Sequence, residues 1–234
     1  MFNDEIPERY FSNFVRVEQS LAGVQVVDLV AETEHTMAGL AHRQIQIHDE
    51  EDGVRIVHDL AAVGYTAEHS ATLAQRRQPE LASDLRLVEE LPHAQVRPFL
   101  TEVYRRALPD ADHNVVEKFV HFRSIVQQLV GTRFFARRID GVVAGVCELY
   151  LHERVAQVEH VDTLEEFRGR GIASSVVLRA VSEARTAGAD LVCIDADLDD
   201  RPIELYRRLG FAEIGRAWAF TKVPDAALAD GQIL

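Results

Sequence analysis

The amino-acid sequence predicts a mixed α/β fold, in which helices flank a mostly antiparallel central sheet and a smaller α/β unit precedes it. From residue 83 onward, alternating and helix-spaced apolar residues follow the order β-α-α-β-β-β-α-β-α-β. Three strands in succession favour a hairpin meander, which pairs antiparallel. The 234 residues, 47% of them hydrophobic, are enough to bury a sizeable core without disulfides.

Residues 1–80 predict the smaller N-terminal unit. Strand-like runs occur in GVQVVDLV (23–30), HRQIQIH (42–48) and SATLAQR (70–76), and DGVRIVHDLAAV (52–63) has helical spacing. LAAVGYTAEHSATL (60–73) loosely echoes YRRLGFAEIGRAWAF (206–220), since both read as helix, glycine-aromatic pair and strand. The echo indicates a degenerate half-copy of the C-terminal fold, and chance similarity is the alternative. RQPELAS (77–83) is the predicted boundary between residues 1–80 and 83–223.

The larger part begins with a strand in SDLRLVEEL and two helices, in PHAQVRPFLTEVYRRAL and DHNVVEKFVHFRSIVQQL. RFFARRIDGVVAGVCELYLH predicts a hairpin, because Asp140-Gly141 between two apolar runs favours a tight turn. A strand follows in VAQVEHVDTL, and then a helix that ends near Ala187, before Gly188. LVCIDA, PIELYRRL and FAEIGRAWAFTKV complete the order as strand, helix and strand. Residues 224–234 are interpreted as a C-terminal tail.

Composition excludes several classes of function. A net charge of −13 disfavours nucleic acid as a partner, because phosphate backbones are bound by clustered positive charge. The sequence has no signal-peptide pattern and no run near the roughly 18 apolar residues of a membrane span, so we expect a cytoplasmic protein without a membrane partner. Cys147 and Cys193 lie in apolar runs, which predicts buried thiols. The histidines lack metal-ligand spacing, so no metal is expected.

The loop FRGRGIASSVV (167–177) predicts an anion site where a strand leads into a helix. A helix N-terminus presents unpaired N–H groups and the positive end of the helix dipole. Arg168 adds charge, and Gly171 allows close approach to the backbone. A phosphate or pyrophosphate is therefore the natural ligand.

A dinucleotide fold is one alternative for this loop, from Gly169-x-Gly171-x-x-Ser174 with Asp195 in the place of a ribose-binding acid. The missing third glycine and the preceding meander argue against it. The stretch R-x-x-G-x-A, at 168–173, is followed further along the chain by LYRRLGF, at 205–211. Together with their spacing and the strand-helix order, these motifs resemble the GNAT superfamily of acyl-CoA-dependent N-acetyltransferases over about residues 83–223.

The resemblance implies an enzyme that moves an acetyl group from acetyl-CoA to a primary amine by direct attack, without a metal. It implies that the pantetheine of coenzyme A lies between splayed parallel strands, here 155–163 and 191–196, near backbone groups of Val161 and Thr163. The loop would bind the pyrophosphate. Its implied binding residues are Arg168, Gly169, Arg170, Gly171, Ile172, Ala173 and Ser174.

Tyr206 matches the family's tyrosine near the acyl-CoA sulfur, where a hydroxyl can protonate or hold the leaving thiolate. The alternative is a core tyrosine. For the base, Glu148 is a candidate because its face of the strand opposes that of Cys147, and Glu159 on the next strand is its rival. Solvated carboxylates are the alternative for both, and relatives also use water relays.

Asp199 stands where many relatives have an asparagine that contacts the pantetheine, so the implied contact is weakened here. Alternatively, Asp199 or Asp200 caps the helix that Pro202 starts. The N-terminal unit has the Gly64-Tyr65 turn but no R-x-x-G-x-G/A, so it is expected to pack on the catalytic domain or wall the acceptor site. The acceptor is expected to be a small-molecule or peptide amine, and a homodimer is left open. The rival function is a non-catalytic acyl-CoA-binding or scaffold protein.

Overall fold

The computed structural model describes Pro7 and residues 10–223, and a nine-stranded sheet runs through this part of the chain. Its strands are β1 (Val15–Val17), β2 (Arg43–Ile47), β3 (Thr66–Gln75), β4 (Val88–Leu91), β5 (Arg133–Ile139), β6 (Val142–His152), β7 (Val155–Thr163), β8 (Leu191–Asp197) and β9 (Phe211–Lys222). The helices are α1 (Val26–Thr36), α2 (Glu50–Ala62), α3 (His93–Ala107), α4 (His113–Val130), α5 (Ile172–Thr186) and α6 (Pro202–Arg208). The spatial order of the strands is β1-β2-β9-β3-β8-β7-β6-β5-β4.

The C-terminal element order is confirmed throughout. The β5–β6 hairpin turns at Asp140 and Gly141, both with positive φ, as a two-residue turn of this sequence requires. α5 ends one residue before Ala187, and Gly188 follows with φ 89°. Cys147 and Cys193 are free and buried, as predicted. Residues 224–234, interpreted as a tail, lie outside the described residues.

One N-terminal prediction was wrong. GVQVVDLV was expected to form a strand, but α1 begins at Val26 within it. Leu29 and Thr33 are buried one helical turn apart while Val27 is 71% exposed, so the segment packs along one face of a helix. The β propensity of its valines yields to this tertiary packing. β1, which precedes α1, was not predicted.

The N-terminal echo is a structural repeat. β1-α1-β2-α2-β3 has the same element order as β7-α5-β8-α6-β9, and each copy begins with a parallel strand pair, β1 with β2 and β7 with β8. The last strands are exchanged: β3 pairs with β8, β9 pairs with β2, and β3 and β9 pair with each other. The N-terminal part is therefore a half-copy of the C-terminal fold. The sheet continues across the boundary predicted at 77–83, and the division into folding units stays a prediction.

Helices cover the sheet unevenly, and this leaves room for a site. On β5, Phe135 packs in the core beneath α5, whereas Phe134 and Ala136 face the core formed with α3 and α4 on the opposite side. On β3, Ala71 and Leu73 belong to the core of the α5 face. The alternate residues of β3 and β8 face a cavity on the other side of the sheet. A separate cavity on that side is bordered by α3 and α4.

Candidate active site

β7 and β8 run parallel at first and then separate. Their last paired residues are Val158 and Ile194, although β7 continues to Thr163 and β8 to Asp197. The separated ends leave backbone groups of the two strands unpaired with each other, so an extended ligand can bind between them. The splay that the family resemblance implies is therefore present.

β7 also carries a bulge at the start of this splay. Val146 of β6 pairs with Asp162, and Glu148 pairs with Glu159, so one residue of β6 faces two of β7 between these pairs. His160 lies in the bulge with φ 49°, an uncommon conformation for a residue other than glycine. Val161 lies in the bulge beside His160, and regular pairing with β6 resumes at Asp162 and Thr163. Thr163 Oγ1 is buried and has no hydrogen-bond partner among the described residues.

The first turn of α5 packs closely against β6 beside this bulge. A β-carbon at Gly145 would lie 2.5 Å from Cγ2 of Ile172 and 2.9 Å from the carbonyl oxygen of Asp162. Glycine is therefore needed at this position of β6. The close approach brings the start of α5 next to the open end of the splay.

The loop before α5 presents its backbone to solvent. Gly169 and Gly171 have φ 76° and 70°, and a β-carbon at either would meet no atom within 4 Å. In the part of the chain that the structure describes, the N–H groups of residues 169–174 have no internal acceptor. Arg168 is exposed, and its Nε donates to the carbonyl oxygen of Thr163 at 3.4 Å. The loop therefore has the free donors and the positive charge of an anion site.

The other loop residues divide between exposed and buried positions. Arg170 is exposed, with its guanidinium carbon 5.5 Å from the ring centroid of Phe167. Ile172 and Ser174 are buried and Ala173 is half-buried, because the first turn of α5 packs on the sheet. These three residues can offer a ligand mainly their N–H groups.

Tyr206 lies on α6 in the core beside the splay. It is 6% exposed, and its ring packs against Phe211 at a centroid distance of 6.3 Å. Burial raises the pKa of its hydroxyl well above the ordinary value, and Cys147, Asp162 and Glu159 reinforce the shift. The phenol is therefore protonated at neutral pH. A core position and a proton-donating role are compatible at this site.

Glu159 is the carboxylate at the point where β7 leaves β8. Gln157 donates one hydrogen bond to Glu159 and another, of 3.1 Å, to Oδ2 of Asp195. Burial raises the pKa of Glu159 to about 7, and the charge of Asp195 adds to the effect. A carboxylate with this pKa is half ionised at neutral pH, which suits a general base.

Glu148, the other candidate base, lies in a buried network. It is 1% exposed, accepts a hydrogen bond of 2.8 Å from Tyr150, and lies 3.6 Å from Nε of Arg123. Arg123 is itself buried, on α4. A carboxylate paired with a buried guanidinium is a weaker proton acceptor, so the geometry favours Glu159.

Comparisons with known proteins identify the family and the fold of this chain. The family model described as "Acetyltransferase (GNAT) family" matches residues 95–211, half of the chain. The chain belongs to the GNAT family. Its fold is that of GNAT acyltransferases, so the dinucleotide alternative is set aside.

Related proteins show how far this similarity extends. Over 103 residues the chain is 27% identical to N-alpha-acetyltransferase MAK3 of Arabidopsis thaliana, and the match covers 43% of this chain. It spans about half of that relative, 53% of its length.

Solved structures cover more of the chain at lower identity. A conserved protein of unknown function from Staphylococcus epidermidis has a TM-score of 0.70 at 14% identity, over 95% of this chain and 89% of its own. A GCN5-related N-acetyltransferase from Sphaerobacter thermophilus has a TM-score of 0.61 at 16% identity, over 87% of this chain and 68% of its own. A tandem GNAT protein from the clavulanic acid biosynthesis pathway has a TM-score of 0.58 at 13% identity, over 89% of this chain and 74% of its own. These structures share the fold.

Sequence reasoning missed two residues of this candidate site, Arg123 and His160. The Nη2 of Arg123 lies 2.8 Å from Nδ1 of His160, and its Nε donates to the hydroxyl of Tyr104 at 2.8 Å. Arg123 had a signal, since it continues the apolar face of α4 formed by Val116, Phe119 and Val120. No sequence pattern marks His160, because the position of a bulge depends on how β6 and β7 pair in the folded sheet.

Asp199 does not cap α6. The N-cap residue is Arg201, whose side chain makes no cap hydrogen bond, and Pro202 follows in the first turn as predicted. The N–H of Asp199 donates to Asp197, and the N–H of Arg201 donates to Asp200. These short hydrogen bonds stabilise the turn itself, so the helix begins two residues later than a cap at Asp199 requires.

The N-terminal half-copy lacks the corresponding site features. In the connection from β1 to α1, the N–H of Leu21 donates to a carboxylate oxygen of Asp52 at 2.7 Å. An internal carboxylate thus binds a backbone N–H of the connection that corresponds to the one before α5. Leu60, four residues before Gly64, takes the place that Tyr206 holds four residues before Gly210. Among the described residues, this half therefore has a leucine and not a phenol at the position that corresponds to Tyr206.

Two cavities flank the splay on the face that α5 does not cover. The first, of about 280 Å³, lies between α3, α4 and β7 and is called here the apolar cavity; it is lined by Phe11, Leu100, Val103, Tyr104, Ala107, Phe119, Arg123, His160 and Asp162. The second, of about 340 Å³, lies over β3, β8 and β9 and includes Glu68, Asp195 and Asp197. Phe11 lines both, so the N-terminal segment borders the site.

Within the described residues, no cluster of histidine, cysteine or acidic side chains has the arrangement of a metal site. No helix in the same part of the chain has the length and apolarity to cross a membrane.

Proposed function

We propose that this protein is an N-acetyltransferase that moves the acetyl group of acetyl-CoA to a primary amine. The observation that carries the proposal is the splay of β7 and β8, which opens directly beside the unpaired N–H groups of the loop before α5. The family membership supports acetyl transfer in general.

The residues of the splay and the loop fit acetyl-CoA. The free N–H groups of 169–174 and the exposed Arg168 suit the pyrophosphate, and the open space at Gly171 lets it approach. Val161 and Thr163 lie in the part of β7 that does not pair with β8, which supports a contact of their backbone groups with the pantetheine. Acetyl-CoA supplies the activated thioester. The protein then has to orient it, deprotonate the amine and protonate the departing sulfur.

Tyr206 is the proposed proton donor. Its raised pKa keeps the hydroxyl protonated, and its position beside the splay suits a leaving thiolate. Glu159 is the proposed base, since a pKa of about 7 allows it to accept a proton from an ammonium group near neutral pH. Water can relay this proton, because Glu159 is not fully buried.

The decisive experiment measures CoA-thiol release from acetyl-CoA over a panel of primary amines and identifies the acetylated product by mass spectrometry. Amine-dependent release with N-acetyl product is expected. Acetyl-CoA binding by calorimetry without release, for every amine, would favour the non-catalytic acyl-CoA-binding protein instead. Absence of binding would contradict both functions.

A further inference from the structure

We infer that the acceptor is an amphipathic primary amine whose hydrophobic group occupies the apolar cavity. This inference rests on the proposed N-acetyltransferase function and adds the class of acceptor. It follows from the position of the cavity, its walls and the charges at its inner end.

The apolar cavity borders the proposed reaction site. His160 belongs to the bulge of β7 and Asp162 to the part of that strand that does not pair with β8, and both line the cavity. If the hydrophobic group of an acceptor occupies the cavity, its amine can therefore reach the splay through a chain of only a few bonds. The same wall contacts the acceptor and borders the thioester site.

The walls are hydrophobic and preformed. Leu100 and Phe119 are 3% and 4% exposed and belong to the packed cores around α3 and α4. Val103, Ala107 and Phe11 complete the apolar lining. Because these residues are held by the fold, an apolar group enters a shaped cavity without reordering the protein.

The inner end of the cavity does not suit an ammonium group. Arg123 is the cation there, and its charge is balanced by the buried carboxylate of Glu148. Burial raises the pKa of Asp162, which weakens it as an anion. The amine is better placed toward Glu159 and Asp195, whose carboxylates lie at the splay. The acceptor thus enters the cavity with its apolar end.

The second cavity provides the competing prediction. Glu68, Asp195 and Asp197 would favour a polycationic acceptor, and these carboxylates are exposed. Exposed carboxylates are solvated and contribute little to affinity singly. The two cavities therefore predict opposite orders of preference among amines.

The test compares kcat/KM for n-alkylamines of increasing length and phenylalkylamines with that for ethanolamine and spermidine. Each methylene buried in the cavity should raise kcat/KM about fourfold, from about 0.8 kcal/mol per methylene, until the cavity is filled. Spermidine should be a poor acceptor. Calorimetry of the same amines with the CoA-loaded protein measures the cavity independently of transfer.

Ala107→Phe tests the cavity directly, because Ala107 is an exposed residue at the end of α3 and its side chain lines the cavity. The larger ring should lower kcat/KM for phenylalkylamines at least tenfold and leave ethanolamine within twofold. Ala62→Phe is the matched control, since Ala62 is exposed at the end of α2 and lines neither cavity. The control should behave like the parent protein.

Three results would overturn the inference: a preference for spermidine, equal rates across the alkyl series, or an equal loss for all amines in Ala107→Phe. The first two leave the N-acetyltransferase function standing, because amines are still acetylated. If no amine is acetylated, the proposed function fails. The calorimetric series then tests separately whether the cavity binds hydrophobic groups. If affinity does not increase with alkyl length, the cavity is rejected as a binding site.

Discussion

Arg123 on α4 donates a hydrogen bond to Nδ1 of His160, at 2.8 Å, and so ties a helix to the bulge of β7. A guanidinium can only donate, so Nδ1 is the acceptor and the neutral imidazole carries its proton on Nε2. The same guanidinium contacts Tyr104 and Glu148. One buried side chain therefore links α3, α4, β6 and the bulge that opens the splay.

Replacing Arg123 should show that this network is coupled. Arg123→Met leaves Glu148 buried without its cation, and we expect a loss of about 3–5 kcal/mol in the free energy of unfolding. Adding Glu148→Gln should recover part of that loss, because the buried carboxylate charge that Arg123 had balanced is then removed. Urea unfolding of both single variants and the double variant measures the coupling. Additive losses would mean that the two residues act independently.

Glu159 should control the pH dependence of both rate and stability. Because the base must be ionised, kcat/KM of the parent should rise as the pH passes about 7, and Glu159→Gln should lower kcat/KM and remove this limb. The folded pKa lies above the ordinary 4.5, so between pH 4.5 and 7 the folded state binds more protons and stability falls as pH rises.

Glu159→Gln should therefore gain stability relative to the parent between pH 5 and pH 8. Glu68 is an exposed residue whose pKa is also raised, by partial desolvation of its carboxylate and by the charge of Asp197. It provides the matched control, since Glu68→Gln should keep the rise of kcat/KM with pH. An unchanged limb in Glu159→Gln would point to a water relay with another acceptor.

The sequence predicted the C-terminal elements and the loop because these depend on local patterns. The turn at Asp140-Gly141, the glycines at 169 and 171 and the helix spacing of α5 are all encoded within a few residues. α1 was mispredicted because its valines favour strands in isolation. In the folded protein, the burial of one face of the segment stabilises a helix instead.

Local sequence patterns could not predict two features: the exchange of β3 and β9, and the bulge at His160. Both depend on pairing between strands that are distant in sequence, such as Ala71 with Arg216, or on a shift in register, such as that beside Glu148 and Glu159. The Arg123–Glu148 pair joins α4 to β6, with β5 between them in the chain, by side-chain contact alone. The sequence left Glu148 and Glu159 as candidate bases, and the structure favours Glu159 because Glu148 is paired with Arg123.

Tyr206→Phe should separate the two roles of this tyrosine. The ring still packs on Phe211, but without the hydroxyl kcat should fall about 10- to 1,000-fold while acetyl-CoA affinity stays within about twofold. Tyr65→Phe is the matched control, because Tyr65 is a buried tyrosine of the N-terminal half-copy. Equal kcat values in the parent and Tyr206→Phe would assign Tyr206 to the core alone.

Gly171→Val should weaken CoA binding at least tenfold, because its side chain would project into the open space over the loop. Gly188→Val has the same backbone strain, since both glycines have positive φ and free space around a β-carbon, and it lies at the other end of α5. Calorimetry should give one site per chain in the parent, unchanged affinity in Gly188→Val, and a smaller loss in Arg168→Ala. Equal affinities of the two valine variants would reject the loop as the CoA site.

Removal of the N-terminal segment 1–77 should prevent the remainder from folding into its CoA-binding form. A chain that begins at Gln78 lacks β3, which pairs with β8 on one side and β9 on the other. It also loses Ala71 and Leu73, both fully buried in the core beneath α5. We expect no cooperative thermal transition and no CoA binding from this chain alone.

Supplying residues 1–77 as a separate chain should restore both properties, because β3 can then enter between β8 and β9 from a second molecule. Thermal melting and calorimetry of the coexpressed pieces, beside Gln78–Leu234 alone, measure the effect. If Gln78–Leu234 alone melts cooperatively and binds CoA like the full chain, residues 83–223 form an independent domain and β3 is dispensable to it. Recovery only with the N-terminal piece would show that the exchanged strand completes the CoA-binding sheet.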